Sequence, residues 1–405
     1  MNVTQVKNPA VWKSLKVLFI AAPTLFLINI FFGFDNALTV GEIPRWQLLL
    51  HLHAGSVGWI TLSAIGVAIW VLTGQRDVSA GYEKFVTGLI WAAVIAFAAY
   101  VPLFGLAFSR PGGLLVTLHP IFGAAAVIVL WTSAIYALIQ LGKQPVTTTT
   151  HILAATALLV AAIGATMGAL LSMERVVGEF LPIEAGVNRV DLHAAMLGIY
   201  LFLVASAIIE WFTVGDPSQK WTIWGLLQAL IWGVSAALFP LAFFVNAVYQ
   251  VLPVLTLSLL LGAVLFLVRT GWRALRRGLG GLNKWPFLGT IWLIVYMGLV
   301  VTLIAMLITS GNLNNIPSWI FIFLDHSSFV GMMTNLILGV LSARSQASRH
   351  VLAWGEPAAA WLINLGIPIF IGLKAAADIR YGAFVMGIGV LLGVLTMLMR
   401  LRASE

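Results

Sequence analysis

Long apolar segments separated by short polar turns recur along the whole chain. Most contain about 20 residues, the length that an α-helix needs to cross the hydrocarbon core of a bilayer. None alternates with the period of two typical of a membrane β-barrel, and a helix satisfies its own backbone hydrogen bonds in lipid. The pattern therefore predicts an all-α, polytopic membrane protein with about twelve transmembrane helices. The predicted spans lie near residues 14–34, 47–73, 85–108, 115–141, 151–172, 191–213, 221–247, 251–269, 287–310, 318–343, 358–374 and 381–400.

Composition agrees with this class of protein. Hydrophobic residues make up 61% of the 405 residues and charged residues only 9%, which is more apolar surface than a soluble fold can bury. No linker or low-complexity segment interrupts the chain, so we expect a single transmembrane domain over residues 1–405. The first apolar segment has full length and no small-residue cleavage site, which favours a span over a cleavable signal. The absence of cysteine excludes thiolate metal sites and disulfides.

The formal net charge of +8 reflects topology. With the N-terminus placed in the cytoplasm, sixteen of the 22 lysines and arginines fall on the predicted inner side. This is the positive-inside distribution, and it predicts that both termini are cytoplasmic. The basic segment 269–284 is predicted to be a cytoplasmic loop that faces lipid headgroups, with a protein-partner site as the alternative. The charge therefore predicts contact with the lipid bilayer and no nucleic-acid partner.

Four predicted spans carry a histidine near their start, namely His53, His119, His193 and His326. Three of these histidines are followed by a glycine five residues later, and His119 by a glycine four residues later. All four spans are even-numbered and run inwards, so the imidazoles are expected in one layer near the outer face. An ionisable side chain inside a membrane is costly and is by default a functional hypothesis. The spacing also indicates weak internal repetition of a helix hairpin.

Two interpretations of the histidine layer remain open. A haem takes axial histidines from facing helices and needs apolar walls, and glycine lets a helix approach the ring. Alternatively, each histidine hydrogen-bonds a neighbouring helix. On a helix His51 points about 200° away from His53, so it is interpreted as a packing group or as support for a ligand. His151 and His350 are predicted to be loop or capping residues, with a threonine N-cap before His151.

The layout resembles the catalytic subunit of the haem-copper oxidases and nitric oxide reductases, with a histidine early in the second span and in the tenth. In that family these histidines ligate a low-spin haem, which the resemblance assigns to His53 and His326. It also implies that Arg380, between the last two helices, pairs with haem propionates, and we expect Arg45 or Arg189 to do so as well. The alternative is that these arginines bind lipid headgroups or pair with Asp378, Asp191 and Asp325. The fold implied is a helical bundle like that of the oxidase subunit, and the cofactor implied is haem b, in one or two copies.

The chain departs from the family at the oxygen-reducing centre. Leu324 stands where the family has the ligand of its second haem, and residues 221–247 lack the histidine pair that binds copper. The resemblance therefore implies no copper and no usual oxygen-reducing centre. His193 and His119 remain as candidate ligands of a second haem or a metal. If the protein is an enzyme, it is expected to be an oxidoreductase.

The sequence thus predicts a haem-binding membrane protein that transfers electrons or handles a diatomic gas such as nitric oxide. We expect it in the cytoplasmic membrane of a prokaryote, with a quinol or a cytochrome as its electron donor. One alternative is a haem-free transporter, which would need charged or unwound sites at the midplane. Another is a structural or assembly subunit that keeps a vestigial oxidase fold. Haem content separates the first function from the other two.

Overall fold

The computed structural model describes residues 8–39, 42–73, 78–109, 113–178, 180–181, 189–214, 222–244, 248–310, 315–375 and 380–404. Every regular element in these ranges is a helix, which confirms the all-α prediction. The α-helices are α1 (Pro9–Leu38), α2 (Arg45–His53), α3 (Leu62–Thr73), α4 (Ala80–Ser109), α5 (Leu114–Gly142), α6 (Thr149–Val177), α7 (Arg189–Val214), α8 (Ile223–Phe244), α9 (Val248–Phe266), α10 (Trp272–Arg277), α11 (Lys284–Ser310), α12 (Ser318–Asp325), α13 (Asn335–Arg344), α14 (Gly355–Ala375) and α15 (Arg380–Ala403).

Three segments have the wider π-helical spacing: π1 (Ala54–Thr61), π2 (Leu267–Gly271) and π3 (His326–Thr334). Each continues directly from one α-helix into the next, so α2–π1–α3, α9–π2–α10 and α12–π3–α13 are continuous helical runs. Two short 3-10 helices, Gly281–Asn283 and Gln346–Ser348, lie in the connections that follow α10 and α13.

Nine helical runs within the described ranges are long and apolar enough to cross a membrane. They are Pro9–Leu38, Arg45–Thr73, Ala80–Ala107, Leu114–Gly142, Thr149–Glu174, Pro253–Arg277, Gly281–Ser310, Ser318–Arg344 and Arg380–Ala403. A helical, multi-pass membrane protein is therefore confirmed. Helices α7, α8 and α14 lie where the other three spans are predicted, and that these cross the membrane stays a prediction, as does the likeness to an oxidase bundle.

The segment 269–284 is not the simple loop that its charge predicts. It begins inside π2 and continues through α10 as far as Arg277. The helix ends there because Gly278 adopts a φ of 67°, a conformation that side chains with a Cβ disfavour. The basic residues of this segment thus lie mostly on helix.

The two histidines assigned to loops or caps are found there. Thr148 caps the N-terminus of α6, accepting from the backbone N–H of His151, whose Nδ1 accepts from the backbone N–H of Thr148. His350 is exposed in the turns between α13 and α14. Both predictions are confirmed, including the threonine N-cap.

The chain divides into two compact units. The first unit contains Met1–Ala22 and Thr61–Thr270, in which α4 to α7 pack consecutively and α9 packs on α8. The second unit contains Pro23–Ile60 and Gly271–Glu405, where α14 packs along α15 and α11 packs against π3 and α13. Helix α1 and segment π1 contribute residues to both units.

Candidate functional site

The second unit holds a cavity of about 280 Å³. Its walls come from α1, α2 with π1, α12 with π3, α14 and α15. Ligand sites have volumes of about 300 Å³ upwards, so the cavity lies close to the lower end of that range. Most of the lining is apolar, and its polar side chains are Asn29, Asn36, His51, Ser56, Asp325 and His326.

The cavity-facing residues follow helical periodicity. On α2 and π1, one stripe at intervals of three or four residues consists of Leu48, His51, Gly55 and Trp59. Residues at such intervals share one face of a helix. On α12 and π3 the corresponding face carries His326. Two imidazoles from two different helical runs therefore line one apolar cavity.

His51 is held by α1 through two hydrogen bonds. Its Nδ1 lies 2.8 Å from the backbone oxygen of Asn29, and the side-chain Nδ2 of Asn29 donates to the backbone oxygen of His51 at 2.6 Å. A carbonyl oxygen only accepts, so Nδ1 must carry the proton. The lone pair of the neutral imidazole is then on Nε2, the nitrogen that a metal would use.

His326 has the same arrangement within its own helix. Its Nδ1 lies 2.7 Å from the backbone oxygen of Ile322, which again places the proton on Nδ1. The ring also packs against Phe370 at 4.8 Å between centroids. Histidines that bind metals commonly donate their other ring N–H to a carbonyl, which fixes tautomer and orientation.

The π-helical segments coincide with the site. Segment π1 begins three residues after His51, and π3 begins at His326 itself. Single π-helical turns are rare and occur frequently at functional sites. The indole of Trp59 in π1 donates to the hydroxyl of Thr334 in π3 at 3.2 Å and stacks on Phe26 at 4.8 Å. The hydrogen bond joins the two segments, and the stacked rings form part of the cavity wall.

A pair of amide side chains, the buried Asn335 and the half-buried Asn364, anchors the C-terminal end of π3. Asn335 donates to Asn364 at 2.9 Å, and Asn364 donates back at 3.1 Å. Asn335 also donates to the backbone oxygen of Gly331 at 2.6 Å, and the indole of Trp292 donates to Asn364. These bonds connect π3 and α13 with α11 and α14.

His53 is not among the described residues that line the cavity. Its Nδ1 bonds the backbone oxygen of Leu49 at 2.9 Å. The interpretation of His51 as a packing group or as support for a ligand stays open, since its ring bonds Asn29 on α1. The structure adds that this ring lines the cavity, on the side of the helix that also carries Gly55 and about 200° from His53. That His53 ligates haem stays a prediction which this geometry does not favour.

His119 lies in the first unit and is buried. Its Nδ1 bonds the backbone oxygen of Val116 and its Nε2 bonds the hydroxyl of Ser172 on α6, each at 2.7 Å. Both ring nitrogens are engaged, as the alternative interpretation of the histidine layer expects. His193 lies on α7, but its side chain is outside the described residues. Within the described part of the chain no cluster of three or more histidine, aspartate or glutamate side chains could hold a metal ion.

The predicted arginines differ in position. Arg380 begins α15 and is exposed, one helical turn before Ala383, which lines the cavity. Arg45 begins α2 and is exposed, one turn before the cavity-lining Leu48. Arg189 begins α7 in the first unit, and its side chain is outside the described residues. Arg380 and Arg45 thus each stand one turn beyond the lining of the cavity, and the pairing of these arginines with propionates stays a prediction.

Comparison with protein families and with characterised proteins finds no match to this chain. The site thus has to be interpreted from its own residues. Asn29 and the π segments escaped the sequence analysis. A signal for Asn29 was present: an amide inside an apolar span, four residues before Gly33, repeats the spacing of His51 and Gly55.

Proposed function

We propose that the cavity binds a haem, with His51 and His326 as its axial ligands. The observation that carries the proposal is the pair of imidazoles on one apolar cavity, each with Nδ1 bonded to a backbone carbonyl. The other ring nitrogen of each histidine would hold the haem iron.

The remaining lining fits the same group. The macrocycle needs apolar and aromatic walls, which Phe26, Trp59 and Phe370 supply. Haem propionates need cationic partners, and Arg380 and Arg45 stand one turn beyond the lining. When bound, a haem supplies one-electron redox chemistry. The residues of this chain bind and orient it and exclude water from it.

Two histidine ligands favour electron transfer over gas binding, because both axial positions are then taken by protein. A quinol or a cytochrome is the proposed donor, as the resemblance to respiratory subunits implies. Handling of nitric oxide belongs to the same proposal only if one histidine can be displaced. A spectrum recorded with and without nitric oxide separates these two roles.

The test is the spectrum of the full chain purified in detergent after expression with ample haem supply. We expect about one haem per chain and the sharp reduced bands of a six-coordinate, low-spin b-type haem. His51→Ala and His326→Ala should each remove the low-spin spectrum, whereas His350→Ala, in an exposed turn, should keep it. A wild-type chain without haem overturns the proposal. If His53→Ala loses the low-spin spectrum and His51→Ala keeps it, His53 is the ligand instead of His51.

A second candidate, a haem-free transporter, is favoured by one observation. The cavity contains the carboxylate of Asp325 together with the aromatic rings of Phe26, Phe329 and Phe370. A carboxylate among aromatic faces suits an organic cation with an apolar body. Tetraphenylphosphonium should then stabilise a haem-free chain against heat, and Asp325→Asn should abolish that stabilisation. Stabilisation that is equal in both chains would argue against this candidate.

A further inference from the structure

We propose that Asn29 is the positioning residue for the cavity imidazole of His51, and that the crossing of α1 and α2 is built around this pair. The inference rests on the proposed function, because positioning matters only if His51 binds a ligand. It goes further in assigning a ligand-orienting role to a residue on the first helix.

Asn29 and His51 are bonded in both directions. The imidazole donates from Nδ1 to the backbone oxygen of Asn29, and the amide of Asn29 donates to the backbone oxygen of His51. The first bond fixes the ring and its tautomer. The second fixes the part of α2 from which the ring extends. One residue of α1 thus fixes both the orientation of the imidazole ring and the position of the backbone that carries it.

Two glycines make this double contact sterically feasible. A Cβ on Gly33 would lie 3.1 Å from Cε1 of His51, and a Cβ on Gly55 would lie 2.6 Å from Nδ2 of Asn29. Each glycine follows a member of the pair by four residues. Asn29 and Gly33 therefore share one face of α1, while His51 on α2 and Gly55 on π1 share one face of their continuous helical run. Each polar side chain therefore lies against the glycine of the opposite helix.

The amide of Asn29 matters separately from its backbone. The backbone oxygen of His51 accepts from the backbone N–H of Ala54 within its own helical run, and the amide of Asn29 is the donor that joins this carbonyl to α1. Without that donor the backbone oxygen of Asn29 can still accept from Nδ1, but α2 is no longer held at His51. The imidazole would then reach the cavity in more than one position.

The primary experiment compares the haem spectrum and haem affinity of Asn29→Leu with those of wild type. Leucine keeps the approximate volume but removes the donor. We expect a mixture of low-spin and high-spin haem and a loss of affinity of about 10–100-fold, the usual cost of removing a group that orients a metal ligand. Gly55→Ala should have the same effect, because its Cβ displaces the same amide.

Two matched controls separate positioning from general destabilisation. Thr166→Val removes another interhelical hydrogen bond, from the indole of Trp131 at 2.9 Å, outside the cavity. Gly298→Ala adds a Cβ to α11 where nothing lies within 4 Å. Both variants should keep the wild-type spectrum, and a shift towards high spin in Thr166→Val would assign the effect of Asn29→Leu to lost stability and overturn the inference.

If Asn29→Leu fails to fold, Gly33→Ala provides the second test of this inference. Its Cβ meets only the edge of the His51 ring at 3.1 Å, so the ring must shift by a few tenths of an ångström while the fold is kept. A changed low-spin spectrum supports the inference. A wild-type spectrum in Gly33→Ala, or in a folded Asn29→Leu, overturns it while leaving haem binding intact. A wild-type chain without haem instead overturns the proposed function.

Discussion

Two histidines near the start of their predicted spans, His51 in the second unit and His119 in the first, have different surroundings. Both have Nδ1 bonded to a backbone carbonyl, at 2.8 Å and 2.7 Å. The Nε2 of His119 is bonded to the hydroxyl of Ser172 on the neighbouring helix, whereas the ring of His51 lines an apolar cavity. The same residue type at similar predicted depth thus has both ring nitrogens hydrogen-bonded in one place and lines a cavity in the other. The groups that the neighbouring helix presents to the imidazole determine which of the two occurs.

Charged groups show the same contrast. In the first unit the buried carboxylate of Glu210 accepts two hydrogen bonds from Nη1 of Arg269, at 2.7 Å and 2.6 Å, and another from the hydroxyl of Thr270. In the second unit the carboxylate of Asp325 lines the cavity. A polar group saturated by its neighbours adds stability, while one that faces a cavity can recognise a ligand. Four substitutions test this distinction.

The largest effect is expected from Arg269→Ala. It leaves Glu210 buried and without its main partner, which typically costs about 3–5 kcal/mol of unfolding free energy. Denaturant titration in mixed micelles measures the loss, with Arg273→Ala as the control because Arg273 is exposed on α10. Haem content should stay at the wild-type level in any folded fraction. Equal stability of the two variants would contradict the structural role of this ion pair.

His119→Ala should cost less, about 1–3 kcal/mol, because it leaves the hydroxyl of Ser172 without its hydrogen-bond partner. Haem should be retained, in contrast to His51→Ala. Ser172→Ala should have a similar cost, and the double variant should lose less than the sum of the two, because the residues share one interaction. Loss of haem from His119→Ala would instead revive His119 as a ligand.

The sequence is sufficient to predict the helices, but it does not predict which histidine faces the cavity. Hydrophobic length alone predicts the helices, because lipid leaves the backbone few other solutions. It does not show which face of α2 meets the cavity. The patterns of His53 with Gly58 and of His51 with Gly55 are both plausible in sequence. Only the partner on α1, Asn29, distinguishes them.

The acidic partners of two arginines were also not predicted from the sequence. Arg269 and Arg400 count as cytoplasmic charges in the positive-inside pattern. In the structure Arg269 pairs with Glu210, and Arg400, only 2% exposed, pairs with Glu356. These partners lie 59 and 44 residues away along the chain, where no local spacing rule connects them. Part of the apparent topological charge is therefore internal structure.

A smaller effect is expected where the two π segments meet. Thr334→Val keeps the shape of the side chain but removes the acceptor for the indole of Trp59, together with the bond that the hydroxyl donates to the backbone oxygen of Phe329 in its own helix. The bond between the two segments contributes about 0.5–1.5 kcal/mol and the bond within the helix adds little, so the unfolding free energy should fall by about that amount. Because both segments flank the proposed ligands, the reduced haem spectrum should broaden as well. A sharp, unshifted spectrum would show that the segments hold their positions without this bond.

The smallest effect is expected from Arg380→Gln. Arg380 is exposed, and ion pairs of exposed groups contribute only about 0–1 kcal/mol, or at most about fivefold in haem affinity. Loss of the positive charge should also lower the midpoint potential, because the oxidised haem carries one more positive charge and is disfavoured by a nearby cation. Arg45→Gln should act in the same direction, and Arg402→Gln, exposed at the opposite end of α15, should leave the potential unchanged. Salt screens exposed charges, so the difference between Arg380→Gln and wild type should shrink at high ionic strength. If potential and affinity are unchanged in both Arg380→Gln and Arg45→Gln at low salt, these arginines do not pair with propionates.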